Sequence, residues 1–506
     1  MTDSNFHVII VGSSVAGLTL AHCLQQANIS HVVLEQGNDV APQVGSSIGI
    51  LQNGARILDQ LGLYKHVEEL VEPVEMAHII YPDGFNFSTT YPKILEQRSV
   101  LSFILHADGI NEAHLSHCRF GYPIAFLERQ KFLEILYRTY PDKSKILLNK
   151  KVVEVRLLGK EACVVAKDGS TYNGNLVIGA DGVHSCIRSE MWRLADMNRP
   201  GLITQREKTG MKTEYACIFG ISSPIDGLKP GEQVEAFYDG FTVITIHGKG
   251  GRLFWFMIKK MERKFTYPDR PRFPPEVVER IIASIGHYRL WGNIKVQDIW
   301  DRKEVGSMTP LEENVFSTWY YDRMALIGDS VHKVCVFSAT LCILAKSRQM
   351  TPNFGQGANC AIEDAALLAS LLQSAVHGAG TQQNLPGLED LDALLRLYQQ
   401  KRYGRVKSIY QQSRLVARLQ ARDGLFNIII GRYYAPYASD LPAHITSKAV
   451  EGAEVLRYIP LRQRAGPGWS QYDSSQRSNT LFWLVVSIIV AIIVLWLREL
   501  VFSRIL

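Results

Sequence analysis

The chain has 506 residues, a hydrophobic fraction of 46%, a charged fraction of 21% and a net charge of +6. That length allows two or three domains, each with a real core. The ordinary charge content includes no basic stripe interleaved with aromatics, which excludes nucleic acid as a partner. The 8 cysteines form no CxxC pair and no metal-ligand spacing, so reduced thiols and no metal are expected.

Phe6–Val11 is a run of β-formers that enters Gly12-Ser13-Ser14-Val15-Ala16-Gly17, and Leu18–Gln26 then has helical character. With a strand starting so early, no cleavable signal peptide is expected. A strand, glycine turn and helix can carry a dinucleotide pyrophosphate on the helix N-terminus, with Gly12 and Gly17 at the turn. Ser14 stands where the usual G-x-G-x-x-G has its second glycine. A second strand, His31–Leu34, ends at Glu35, whose carboxylate would accept ribose hydroxyls. Taken alone, this unit fits a nucleotide site or a plain strand–helix turn equally well.

Lys151–Arg156 and Ala162–Lys167 alternate like strands, Asp168-Gly169 makes a hairpin turn, and Leu176–Gly179 is a buried strand. It leads into Ala180-Asp181-Gly182-Val183-His184-Ser185-Cys186-Ile187-Arg188, a D-G-x-x-S-x-x-R string far more specific than a bare Asp-Gly turn. Gln233–Ile246 and Leu253–Ile258 read as core strands of a middle β-sheet. Tyr238, within the first of these, is the candidate catalytic or orienting group and Tyr215 the second choice; a strand tyrosine is otherwise packing. Met324–Ile327 is a further strand ending at Gly328-Asp329, and His332 beside it is expected to be a structural partner rather than a base. Gly357–Gln373 forms a helix whose N-terminus, at Gly357 and Ala358, offers free N–H groups to negative charge.

Ser478–Leu497 carries no charge and is bracketed by Arg477 and Arg498, with Trp483 and Trp496 near its ends. About 20 apolar residues match a hydrocarbon core of roughly 30 Å, so a transmembrane anchor at 478–500 is expected over a buried core helix.

The three clusters together resemble the class A flavoprotein monooxygenases, the para-hydroxybenzoate hydroxylase-like group, over residues 5–440. The resemblance is closer to fungal enzymes that epoxidise prenyl chains of meroterpenoids and indole-diterpenes. It is carried by VGSSVAGLTLAHCL at 11–24, GYPIAFLERQ at 121–130, VIGADGVHS at 177–185 and PNFGQGANCAIEDAA at 352–366. It implies an α/β fold: a Rossmann-like FAD-binding domain, an inserted β-sheet substrate domain, a helical C-terminal region and one C-terminal transmembrane helix. The expected boundaries are 1–190 and 321–375 for FAD, 191–320 for substrate, 376–477 for the helical region and 478–500 for the anchor. By resemblance FAD is held at Gly12, Gly17, Glu35, Gly49, Arg129, Asp181, Asp329, Gly357 and Ala358. NADPH would be the reductant, a prenylated small molecule the substrate, and a membrane terpene cyclase a functional partner. The catalytic domain would face the cytosol from the endoplasmic reticulum membrane.

Rival expectations are an aromatic hydroxylase of the same fold, a flavin reductase acting on prenyl double bonds, and a non-catalytic membrane-anchored chain that keeps the fold. Two stretches depart from the family pattern. The family continues from G-D-A-x-H to P-x-x-G-x-G within a few residues, whereas here Val334–Gln349 intervenes; without it the chain reads GDSVHKMTPNFGQG. Ser99–Cys118 behaves likewise before Phe120-Gly121-Tyr122-Pro123. Both are read as retained introns, the alternative being tolerated surface loops.

Overall fold

Short apolar runs between glycine turns build the first layer, as expected of strands buried on both faces. In a computed structural model, residues 6–44, 47–96, 120–333, 356–377, 386–434 and 450–462 are described. Six strands lie in the order Tyr320–Tyr321, Met324–Leu326, Leu176–Gly179, His7–Val11, Ser30–Leu34 and Ile146–Leu147. All neighbours pair in parallel except the Tyr320–Tyr321 edge, which pairs antiparallel with Met324–Leu326. The Val15–Gln26 and Gln356–His377 helices pack on this sheet and share its core. A three-stranded antiparallel sheet, Thr171–Gly174, Ala162–Ala166 and Val152–Leu157, follows the expected hairpin, with Gly169 at φ +85° in its turn.

The middle layer is an eight-stranded sheet. Its order is His332–Lys333, Lys303–Val315, Lys212–Ser222, Leu253–Thr266, Phe241–His247, Glu232–Tyr238, Met76–Ile80 and Asn86–Thr89. The expected long strand at 233–246 is therefore a hairpin, Glu232–Tyr238 paired with Phe241–His247 around Gly240 at φ +81°. The sheet also reaches outside the predicted 191–320 segment. Met76–Ile80 pairs in parallel with Glu232–Tyr238, so the chain crosses between layers twice before the middle domain begins.

One face of this sheet turns to the nucleotide-binding layer: Phe237, Ile244, Ile246, Tyr215 and Cys217 cluster with Leu51, Phe120 and Phe126. The other face is covered by the Pro275–Ile285 and Val296–Asp301 helices, through Val278, Ile282, Ile299 and Trp300. The long Leu388–Gln420 helix joins the two layers, with Leu391, Leu395 and Tyr398 in the nucleotide-domain core. Among the described residues no helix is long and apolar enough to cross a membrane. The expected anchor at 478–500 lies outside them, as do the stretches 99–118 and 334–349.

Candidate active site

The first cluster folds as the sequence suggests. Gly12 sits at φ +102°, and a Cβ there would lie 2.5 Å from the Ala180 carbonyl oxygen, so only glycine lets the first turn rest on the second cluster. A Cβ at Gly17 would lie 1.9 Å from the Gly12 carbonyl oxygen, which fixes the helix tightly on its turn. Ser14 is the N-cap of Val15–Gln26 but makes no side-chain cap, and the first turn carries no acid. Its orphan N–H groups therefore keep their capacity for an anionic ligand. Glu35 closes the turn from the second strand: its Oε2 accepts from the Ser13 amide at 2.8 Å and hydroxyl at 2.7 Å, and its Oε1 from the Gly37 amide at 2.7 Å.

The second cluster is a cap. Asp181 accepts from the Cys186 amide at 2.7 Å, the Ile187 amide at 3.1 Å and the Ser185 hydroxyl at 2.5 Å, fastening the start of the Cys186–Asn198 helix. Arg188, buried one turn on, donates to the Ser330 carbonyl at 2.6 Å and the Val183 carbonyl at 2.7 Å. It ties the second cluster to the third, a role only the D-G-x-x-S-x-x-R string foreshadowed.

The third cluster meets the first at Gly328, at φ +60°, where a Cβ would touch Ala16 Cβ at 3.1 Å and Ala361 Cβ at 3.2 Å. Asp329 follows in a short turn and pairs with Lys333. Gly357 and Ala358 lie in the first turn of Gln356–His377. The next residue, Asn359, bridges to the strand Ser47–Ile50 and its following residue: its Nδ2 donates to the Gly49 carbonyl at 2.9 Å and its Oδ1 accepts from the Leu51 amide at 3.1 Å. Gly49 itself is crowded by Phe126, 2.8 Å from an added Cβ. Arg129 opens the helix after the Ala125–Glu128 strand, which pairs with Ser47–Ile50. It donates to the Ser14 hydroxyl at 2.9 Å. Burial lowers its guanidinium below the ordinary value, while the nearby charges of Asp329 and Glu35 act to raise it. One cation thus stands among residues from the first and third clusters.

Beneath the third cluster lies an ion-pair network that sequence inspection missed. Asp364 accepts from His332 Nε2 at 2.6 Å, the Gly328 amide at 2.9 Å and Arg402 Nε at 2.7 Å. Glu363 pairs with Arg402, with Arg405 at 2.8 Å, and accepts from Asn53 Nδ2 at 2.6 Å. Burial alone would raise both carboxyls, but Arg405 and Arg402 outweigh it at Glu363, and His332 and Arg402 at Asp364, holding each down to about 2. His332 is the structural partner expected, although of Asp364 rather than of Asp329.

Tyr238 is placed differently from expectation. In the Glu232–Tyr238 strand, Gln233, Glu235 and Phe237 share one face and Val234, Ala236 and Tyr238 the other. Tyr238 belongs to the helix-covered cluster, stacks on Phe241 at 4.8 Å and donates its hydroxyl to the Arg289 carbonyl. Tyr215 lies on the face turned to the nucleotide domain and donates to Asp423 Oδ2 at 3.4 Å. Burial and the Asp423 charge raise its phenol, which stays a neutral donor. Buried Glu235 lies on the strand face that carries Phe237, its carboxylate accepting from Gln233 at 2.9 Å and Gln420 at 3.2 Å.

The residues present fit FAD: an uncapped helix N-terminus for pyrophosphate, Glu35 for ribose, and a cation beside both. Two buried amides, Gln52 on both side-chain atoms and Gln356 on its Nε2, have no partner among the described residues and could meet the flavin's polar edge. Residues 5–340 match the FAD binding domain family. The chain is 50% identical over 459 residues to the FAD-dependent monooxygenase ptmM of Penicillium ochrochloron, covering 91% of this chain and 99% of that one. The chain belongs to the FAD-dependent monooxygenases. It is also 48% identical over 487 residues to atmM of Aspergillus flavus, another FAD-dependent monooxygenase, covering 96% of this chain and 94% of that protein. The fold matches that of Klebsiella pneumoniae HpxO complexed with FAD and uric acid at a TM-score of 0.66 and 19% identity, covering 89% of this chain and 97% of that one. This monooxygenase accordingly uses FAD.

Proposed function

We propose that this monooxygenase epoxidises a terminal prenyl alkene of a meroterpenoid or indole-diterpene intermediate, with NADPH as reductant and a C-terminal membrane anchor at 478–500. The supporting observation is the sheet face turned to the nucleotide domain, where Phe237, Ile244, Ile246, Phe254 and Ile258 present an apolar surface opposite Leu51 and Phe126. Such a surface excludes water and favours a hydrocarbon chain over an ionised small aromatic. Bound and reduced, FAD supplies the activated oxygen. An electron-rich alkene needs no catalytic base, so the chain's task is to hold it, and Tyr215 is the proposed orienting donor on that face.

The aromatic hydroxylase reading draws on one observation, the buried Glu235 with Gln233 and Gln420. In the epoxidase reading the same group receives the polar head of the prenylated substrate. The two separate by product: with a geranylgeranylated indole supplied to the full chain in membranes, the epoxidase reading expects an epoxide on the prenyl terminus. A ring-hydroxylated product would replace it with the second reading.

A further inference from the structure

The long Leu388–Gln420 helix is followed by the helix Leu425–Ile429 and a wide turn, Ile430–Tyr434. Leu425, Phe426, Ile429 and Tyr433 are 79%, 59%, 57% and 65% exposed. Their spacing, over one to two helical turns, gathers them on one side. Between Gly424 and Tyr434 the sequence has no carboxylate. Elsewhere the large exposed apolar residues, such as Leu158 and Met197, are scattered. Four within nine positions form a patch that calls for a partner.

The other side of this segment is fastened to the substrate layer. The Gly431 carbonyl accepts from the Tyr81 hydroxyl at 2.5 Å, Arg432 Nε meets Asp83 Oδ2 at 2.7 Å, and the Arg432 guanidinium lies 3.7 Å from the centre of the Phe85 ring. Tyr81 and Phe85 pack in the cluster that faces the nucleotide domain. Asn427 Nδ2 donates to the carbonyl of Asp423, the residue that accepts from Tyr215. The patch therefore sits at the edge of the surface assigned to substrate.

We propose that Leu425, Phe426, Ile429 and Tyr433 seat in the interfacial layer of a lipid bilayer, turning the substrate face toward a substrate dissolved in lipid. Leucine, isoleucine and the two aromatic rings are side chains suited to that depth. The lipid is identified by the rest of the chain. Residues 463–477 separate the last described segment from the uncharged run Ser478–Leu497. Fully extended, such a linker reaches only about 50 Å, so a chain anchored by that run keeps the last described residue, Arg462, within about that distance of the bilayer. This inference rests on the membrane anchor of the proposed function.

The test is photocrosslinking of the full chain in phosphatidylcholine nanodiscs, with p-benzoylphenylalanine in place of Phe426, Leu158 or Ile489 in separate samples, each checked for flavin absorbance. A phosphatidylcholine adduct at 426 and at 489, and none at 158, is expected. Loss of the adduct at 426 with the adduct at 489 retained would overturn the docking while leaving the anchor standing. Loss at both would overturn both, and an adduct from 426 to a second copy of the chain would assign the patch to self-association.

Discussion

The Arg129 guanidinium donates to the Ser14 hydroxyl at 2.9 Å across a separation of 115 positions, so the strand–helix unit after Tyr122 reaches back to the first glycine turn. Its surroundings include the carboxylates of Glu35 and Asp329. A partly buried guanidinium in that position can grip a pyrophosphate oxygen in addition to the hydroxyl. Arg129→Met is expected to weaken FAD binding by about 1.5–3 kcal/mol, roughly 10- to 150-fold in Kd. Fluorescence titration of the apoprotein checks this, with far-ultraviolet circular dichroism unchanged. Unaltered affinity would remove Arg129 from the cofactor site.

Gly12→Ala places a methyl group 2.5 Å from the Ala180 carbonyl oxygen at a φ of +102°. The backbone penalty alone is about 1–3 kcal/mol, and relief requires the first and second clusters to move apart. The variant is expected to melt lower and to purify without flavin. Added FAD should restore little of the lost melting temperature, because the turn that holds the pyrophosphate is itself displaced.

Arg402 is fully buried between Glu363 and Asp364. Removing one partner of such a group strands the charge of the others, so Arg402→Met should cost about 3–5 kcal/mol. The pH dependence has a definite sign. Both carboxyls are held at about 2, below their ordinary values of 4.5 and 3.8, so their contribution is present above those ordinary values and lost as pH falls toward about 2. In Arg402→Met that pairing is weakened, and the midpoint of acid unfolding should move to higher pH. Melting curves recorded from pH 3 to 7 read both effects.

Tyr215 and Tyr238 offer a paired test of which sheet face meets the substrate. Tyr238→Phe removes the bond to the Arg289 carbonyl and should cost about 1 kcal/mol of stability, with the ratio of product to reductant consumed unchanged. Tyr215→Phe removes a neutral donor from the face turned to the nucleotide domain. It should lower that ratio, because a substrate held less firmly lets oxidant escape to peroxide. Equal effects from both variants would contradict the assignment of faces.

These two tyrosines also show where sequence reasoning stops. His7–Val11 and Leu176–Gly179 are legible because a parallel strand buried on both faces is a continuous apolar run ending at its glycine turn. Tyr238 sits in a strand buried on both faces, antiparallel to one neighbour and parallel to the other, where alternation separates two sets of residues without saying which set meets the cofactor. That orientation comes from the Pro275–Ile285 helix, which covers the Tyr238 side. Arg402 and Asp364 lie 38 positions apart on different helices, and a buried arginine has the same letter as a solvated one. Nothing in the sequence around Met76–Ile80 points to its partner, Glu232–Tyr238, which is distant in the chain. Glycine turns, by contrast, report backbone geometry directly: Gly12 and Gly328 stand where the clusters touch, and Gly17 packs its helix onto the first turn.

The retained-intron reading makes its own prediction. A chain made without Val334–Gln349 joins Lys333 to Met350 and recovers the family pattern in register. It is expected to bind FAD at least as tightly as the full sequence, by the same fluorescence titration. Transcript reads that carry the stretch, with no spliced form, would refute the reading.

The most direct measurement is the position of one oxygen atom. The full chain, in phosphatidylcholine nanodiscs with NADPH and ¹⁸O₂, is given a geranylgeranylated indole, and the product is fragmented by mass spectrometry. The account predicts a single ¹⁸O atom in an epoxide on the terminal prenyl unit, with no product when oxygen is withheld. Label on the aromatic ring, or an anaerobic product lacking the double bond, would contradict it.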